Sequence, residues 1–167
     1  DGCHNADDRR AESRHVFLDG NGLSAQMRES RHLTIAETGF GTGLNLLAVM
    51  AEMNRHPELR LDYISFEGFP LTAEQMEQAH ASFTAVAAEA AALRAALPPR
   101  WPGYHLVQLC SGRLTLHLHY GEIGDMLPSL DFRADCWFLD GFAPARNPSM
   151  WTAENMSHVG RLTRPGG

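Results

Sequence analysis

Apolar residues are spread along this chain in two alternating patterns. Leu33-Thr34-Ile35-Ala36, Leu61 to Phe66 and Ala134 to Leu139 are short runs, each closed by an acid at Glu37, Glu67 or Asp140. Their length and their content of branched and aromatic residues predict buried strands. Between them lie helix-like stretches: Leu44 to Met50, Leu71 to Leu97, Gly121 to Leu130 and Pro148 to Thr163. The Ala-rich tract from Leu71 to Leu97 opens with Thr72 three residues before Gln75, a capping box, and Pro98, Pro99 and Pro102 stop it. Tyr104 to Leu109 and Leu114 to Tyr120 flank Ser111-Gly112 and predict a hairpin, with the second run as the member of the main sheet.

Strands alternating with helices imply an α/β fold: a mostly parallel sheet, helices on both faces, and ligands at the carboxyl ends of the strands. Those ends are where the three acids fall. With 167 residues, 44% of them hydrophobic, the chain has material for one core. The reading is a single domain, 1–167, in which residues 1–32 precede the α/β core. Arg164-Pro165-Gly166-Gly167 comes where another strand should begin, so the sheet is expected to be truncated at the C-terminus, its late strands missing.

The turn after the first strand holds the most informative residues. Glu37-Thr38-Gly39-Phe40-Gly41-Thr42-Gly43 runs straight into Leu44-Asn45-Leu46. Glycines between strand and helix bring bare backbone close to a nucleotide-like ligand, although tight packing alone also uses them. The spacing is Gly-x-Gly-x-Gly, whereas the dinucleotide fingerprint is Gly-x-Gly-x-x-Gly around a pyrophosphate. The favoured ligand therefore carries no pyrophosphate. An acid, this glycine loop and a second strand ending in an acid are together similar to S-adenosylmethionine-dependent methyltransferases. Glu67 suits a carboxylate that accepts from both ribose hydroxyls. Glu122 can hold an adenine amino group, or it is a helix acid facing the dipole.

Asp140-Gly141-Phe142-Ala143-Pro144-Ala145-Arg146-Asn147-Pro148 places a carboxylate, a ring and a stiffened loop beside the expected cofactor site. A carboxylate there can accept protons from an attacking amine and aim its lone pair. The same loop also serves as a rigid strand-to-helix connection.

Charge and composition narrow the partners. All basic residues are Arg and the net charge is −6, which disfavours nucleic acid by bulk electrostatics. An RNA partner needs a local cluster such as Arg9, Arg10, Arg14, Arg28 and Arg31, or sequence beyond this chain. No apolar run approaches the roughly 20 residues that cross a bilayer, and the polar Asp1 to Arg14 has no signal-peptide core, so a soluble cytoplasmic protein without a membrane is expected. Cys3, Cys110 and Cys136 signal neither disulfides nor a zinc ribbon. His117 and His119 share a strand face, which is read as a solvated face over a metal site, and no metal is expected.

Four segments carry a fuller resemblance: Ser13 to Leu23, Glu37 to Asn45, Ile64 to Thr72 and Trp137 to Pro148. Together they resemble the methyltransferase domain of the bifunctional tRNA 5-methylaminomethyl-2-thiouridine biosynthesis proteins, the MnmC family. The resemblance implies a Rossmann-like fold and methyl transfer from S-adenosylmethionine to the amine of 5-aminomethyl-2-thiouridine at the tRNA wobble position, in the anticodon region. By position it implies that Glu37, Gly39, Phe40, Gly41, Thr42, Gly43 and Asn45 line the methionine end, Glu67 the ribose and Glu122 the adenine. Asp140, with Phe142 and Pro144, would face the substrate amine, with Asp140 also beside the cofactor. FAD enters only if a C-terminal oxidase domain exists in the parent protein. The chain departs from the family pattern at Gly68 and Arg146, where Lys is common, and at Gly121-Glu122, where Gly-Asp is usual.

Two other readings fit the fold class. One is a nicotinamide- or flavin-binding oxidoreductase domain, disfavoured by the glycine spacing. The other is a non-catalytic tRNA-binding scaffold.

Overall fold

A computed structural model of the chain describes residues 22–139 and 148–167. Strands β1 (His32–Glu37), β2 (Arg60–Glu67), β3 (Gly103–Leu109), β4 (Leu114–Tyr120) and β5 (Cys136–Phe138) form one sheet in the order β3-β4-β2-β1-β5. β1 pairs in parallel with both β2 and β5, and β2 in parallel with β4. The expected hairpin is present: β4 lies inside the sheet and β3 is its antiparallel edge. The chain steps outward from β1 to β4, then returns to place β5 on the other side of β1. That reversal is where doubly wound sheets open a crevice.

Alternation along the strands sorts residues onto two faces. Leu33, Ile35, Leu61, Tyr63, Leu116 and Leu118 pack under helices α2 (Leu44–Met53), α3 (Ala73–His80) and α4 (Ala87–Ala96) in the larger core. Ala36, Ile64 and Phe66 form a smaller core with Leu127, Val159 and Leu162, the last two at α6 (Ala153–Arg161). α2 buries Leu46, Leu47, Ala48, Val49, Met50 and Met53, as befits a helix apolar nearly all round. Fully burying a side chain the size of Tyr63 or Phe66 contributes about 1.5–3 kcal/mol.

The long helix expected over 71–97 is two helices, with a 3₁₀ turn at Thr84–Val86 between them. The capping box starts α3 as read, Gln75 N–H donating to Thr72 Oγ1 at 3.1 Å and Thr72 N–H to Gln75 Oε1 at 2.9 Å. The helix then ends at His80, whose buried ring turns inward to the glycine loop, while Phe83 N–H bonds the His80 carbonyl at 2.9 Å. Alanine-rich propensity is overridden by that tertiary contact. The helix read from Pro148 is confined to α6, because Thr152 Oγ1 accepts from Asn155 N–H at 3.1 Å and caps it there. The helix over 121–130 shortens to α5 (Ile123–Met126) and a 3₁₀ turn, Leu127–Ser129. α1 (Leu23–Glu29), within the segment read only as preceding the core, buries Leu23 and Met27.

Candidate cofactor site at the carboxyl edge

β1 ends in Glu37 and the chain turns at once through Thr38 to Gly43 into α2. Gly41 and Gly43 sit at φ +53° and +74°, where a side chain is strained. Their surroundings differ. A Cβ on Gly43 would lie 2.9 Å from Leu93 Cδ2 and 3.0 Å from Phe40 Cζ, whereas one on Gly41 meets nothing within 4 Å. Gly43 lets the loop rest on α4, and Gly41 presents bare backbone to open space.

Two carboxylates organise the loop. Glu67, at the end of β2, accepts from Gly41 N–H at 2.7 Å through Oε2 and from Phe69 N–H at 2.9 Å through Oε1. It joins the loop after β1 to the loop after β2. Each carboxylate oxygen carries two lone pairs, so each can take a further donor such as a ribose hydroxyl. Glu37 is 1% exposed and accepts from Asn45 Nδ2 at 2.9 Å and, across the strand pair, from Ser65 Oγ at 2.8 Å. It ties the end of β1 to the first turn of α2. Phe40 N–H bonds the Phe66 carbonyl at 2.8 Å, which holds the loop down on β2.

The structure thus gathers Glu37, Gly39, Phe40, Gly41, Thr42, Gly43, Asn45 and Glu67 at one edge. Glu122, after β4, opens onto the same narrow cleft as Glu67, lined also by Thr38, Phe66, Gly68, Phe69 and Met150. Glu122 stands at the N-cap of α5 and makes no side-chain capping bond there. A Cβ on Gly68 would sit 3.4 Å from Glu122 Oε1, so glycine there keeps the two loops close. Burial and the Glu67 charge both push the Tyr120 hydroxyl pKa upward. Asp140, Phe142, Pro144 and Arg146 lie outside the described residues. Their segment begins just past Phe138, which pairs with Glu37.

Sequence reading missed Ser65, the polar member of an apolar strand, and His80 and Arg94 behind the loop. The signal for Ser65 was its place between Ile64 and Phe66. His80 Nε2 lies 2.7 Å from the Thr42 carbonyl and its Nδ1 3.1 Å from Arg94 Nη1.

His117 and His119 require a correction. Their face is solvated only in part: His117 is partly exposed, but His119 is buried and stacks on Phe66 with ring centroids 5.1 Å apart. His117 Nε2 meets Asp62 Oδ1 at 2.9 Å, His32 Nε2 meets Asp62 Oδ2 at 2.7 Å, and the Tyr104 hydroxyl meets His117 Nδ1 at 2.8 Å. Burial works to raise the Asp62 carboxyl, and the bonds to His117 and His32 outweigh it, leaving its pKa below the ordinary value. Burial, helped by His117, lowers that of His119.

A mostly parallel sheet, a glycine turn after its first strand and carboxylates at the ends of β1 and β2 define a Rossmann-like methyltransferase fold. The chain belongs to the S-adenosyl-L-methionine-dependent methyltransferase family, whose sequence profile matches residues 84–167. Its fold is similar to that of MnmC2 from Aquifex aeolicus, known from a crystal structure. The TM-score is 0.64 at 24% sequence identity, over 89% of this chain and 45% of that one. This chain therefore spans less than half the length of that relative. No helix among the described residues is long and apolar enough to cross a membrane.

Proposed function

We propose that this chain transfers the methyl group of S-adenosylmethionine to the primary amine of 5-aminomethyl-2-thiouridine at the tRNA wobble position. The observation that carries the cofactor half is Glu67, whose carboxylate bridges Gly41 and Phe69 N–H groups at the open face of the glycine loop. The substrate half rests on the likeness of Ile64 to Thr72 and Trp137 to Pro148 to the MnmC family, with the fold similarity in support.

When bound, the cofactor supplies an electrophilic sulfonium methyl. The chain's own residues bind and aim. Glu67 takes the ribose hydroxyls, the backbone from Gly39 to Gly43 lies under the methionine end beside Glu37 and Asn45, and Glu122 meets the adenine amino group. An alkylamine is largely protonated at neutral pH, and its ammonium form has no lone pair with which to attack. Asp140, with Phe142 and Pro144, receives that proton and orients the nitrogen, and Arg146 meets tRNA phosphate. A dinucleotide-dependent oxidoreductase would need a pyrophosphate seat, which the Gly-x-Gly-x-Gly spacing does not provide.

The test is methyl transfer to tRNA bearing the free 5-aminomethyl group, with tRNA lacking it as the control. Transfer to the first alone supports the reading, and equal or absent transfer contradicts it. Asp140→Asn should lower the transfer rate by about 10²–10⁴-fold with cofactor affinity held, the scale of a positioned acid or base. A fully active Asp140→Asn protein would make Asp140 a strand-end acid without a part in catalysis.

A further inference from the structure

The glycine loop is gripped from both ends. Phe40 and Gly41 N–H groups are held by β2 and Glu67, and the Gly43 N–H by the Phe40 carbonyl. The Thr42 carbonyl, at the apex between two positive-φ glycines, turns the other way, to His80 Nε2 at 2.7 Å. His80 is 4% exposed and ends α3; behind it, Arg94 of α4 brings Nη1 to within 3.1 Å of Nδ1. A guanidinium nitrogen only donates, so Nδ1 presents its lone pair, and the ring hydrogen sits on Nε2 and donates to Thr42.

We propose that His80 is a positioning residue for the cofactor loop. With Arg94 fixing its tautomer, it holds the Thr42 carbonyl and so keeps the peptide between Gly41 and Gly43 in its binding conformation. Glycines at positive φ are the residues with most freedom to leave such a conformation, and a loop ordered beforehand binds without that ordering cost. The inference rests on the loop being the cofactor contact proposed above.

Titration of S-adenosylmethionine into the full chain by calorimetry, beside ¹⁵N spectra of the histidine rings, tests it. His80→Ala should weaken the cofactor roughly three- to tenfold, the worth of one hydrogen bond. His80→Gln, which keeps an N–H donor at similar reach, should restore most of that loss. Arg94→Leu should fall between the two, and it decides the matter together with His80→Gln if the Ala variant does not fold. Unchanged affinity in folded His80→Ala or in Arg94→Leu overturns the proposal, as does an equal loss in the Ala and Gln variants. A wild-type chain that fails to bind S-adenosylmethionine refutes the cofactor site instead. In that case the ring spectrum still judges the brace: an Nε2-protonated His80 supports it, and an Nδ1-protonated one overturns it.

Discussion

Strand β2 carries two carboxylates, Asp62 and Glu67, on opposite faces of the sheet, and their partners differ in kind. Asp62 is met by the imidazoles of His32 and His117, with Tyr104 behind the second. Glu67 is met by the backbone N–H groups of Gly41 and Phe69. Asp62 is engaged by side chains of neighbouring strands, and with His117, His119 and Phe132 it lines a cavity of about 680 Å³. Backbone partners make Glu67 the pin between the loops after β1 and β2. The two acids thus differ in what they hold: the main chain of two loops at Glu67, and side chains of neighbouring strands at Asp62.

That contrast can be broken by mutation. Glu67→Ala should weaken S-adenosylmethionine by about 1.5–3 kcal/mol, some 10- to 100-fold, as for a lost hydrogen bond to a charged group. Calorimetry showing a change of only a few tenths would move Glu67 out of the site. Gly43→Val forces a branched side chain into positive φ against Leu93 and Phe40, and should cost about 1–3 kcal/mol of stability in denaturant titrations. An unchanged midpoint would mean that the loop does not rest on α4. Asp62→Ala should cost no more than about 1 kcal/mol, the range for half-exposed ion pairs, and leave cofactor affinity unaltered. Loss of cofactor binding in that variant would erase the distinction between the two acids.

The smallest effect concerns pH. The pKa of His119 is lowered in the folded chain from 6.5, chiefly by burial. Below 6.5 the unfolded chain takes up a proton that the folded chain resists, so this contribution is present above that pH and is lost as pH falls through the lower folded value. Asp62, also lowered, adds a loss of the same sign below 3.8. His119→Leu should flatten the decline in unfolding midpoint between pH 7 and pH 5; parallel curves for the two proteins would show that His119 is not the source.

What the sequence made legible was local. Thr72 and Gln75 cap α3 within one turn, Ser111-Gly112 closes a hairpin between adjacent strands, and Gly39 to Gly43 follow Glu37 directly. Partners chosen across the fold were not legible. His80 finds Thr42 across 38 positions and His117 finds Asp62 across 55. The two-residue spacing of His117 and His119 gave their shared face, but burial there depends on Phe66 and Tyr104, which no local pattern assigns. The break after His80 falls where its ring meets the glycine loop, a contact that no local pattern announces.

The measurement that most directly tests the carboxyl edge as the cofactor site is an amide ¹H–¹⁵N titration of the chain with S-adenosylhomocysteine, the demethylated form of the cofactor. The largest shifts are expected at Gly41, Thr42, Gly43, Gly68 and Phe69, with Thr34, Asp62, Tyr104 and His117 unmoved. Shifts concentrated on the Asp62 face, with the glycine loop silent, would contradict it.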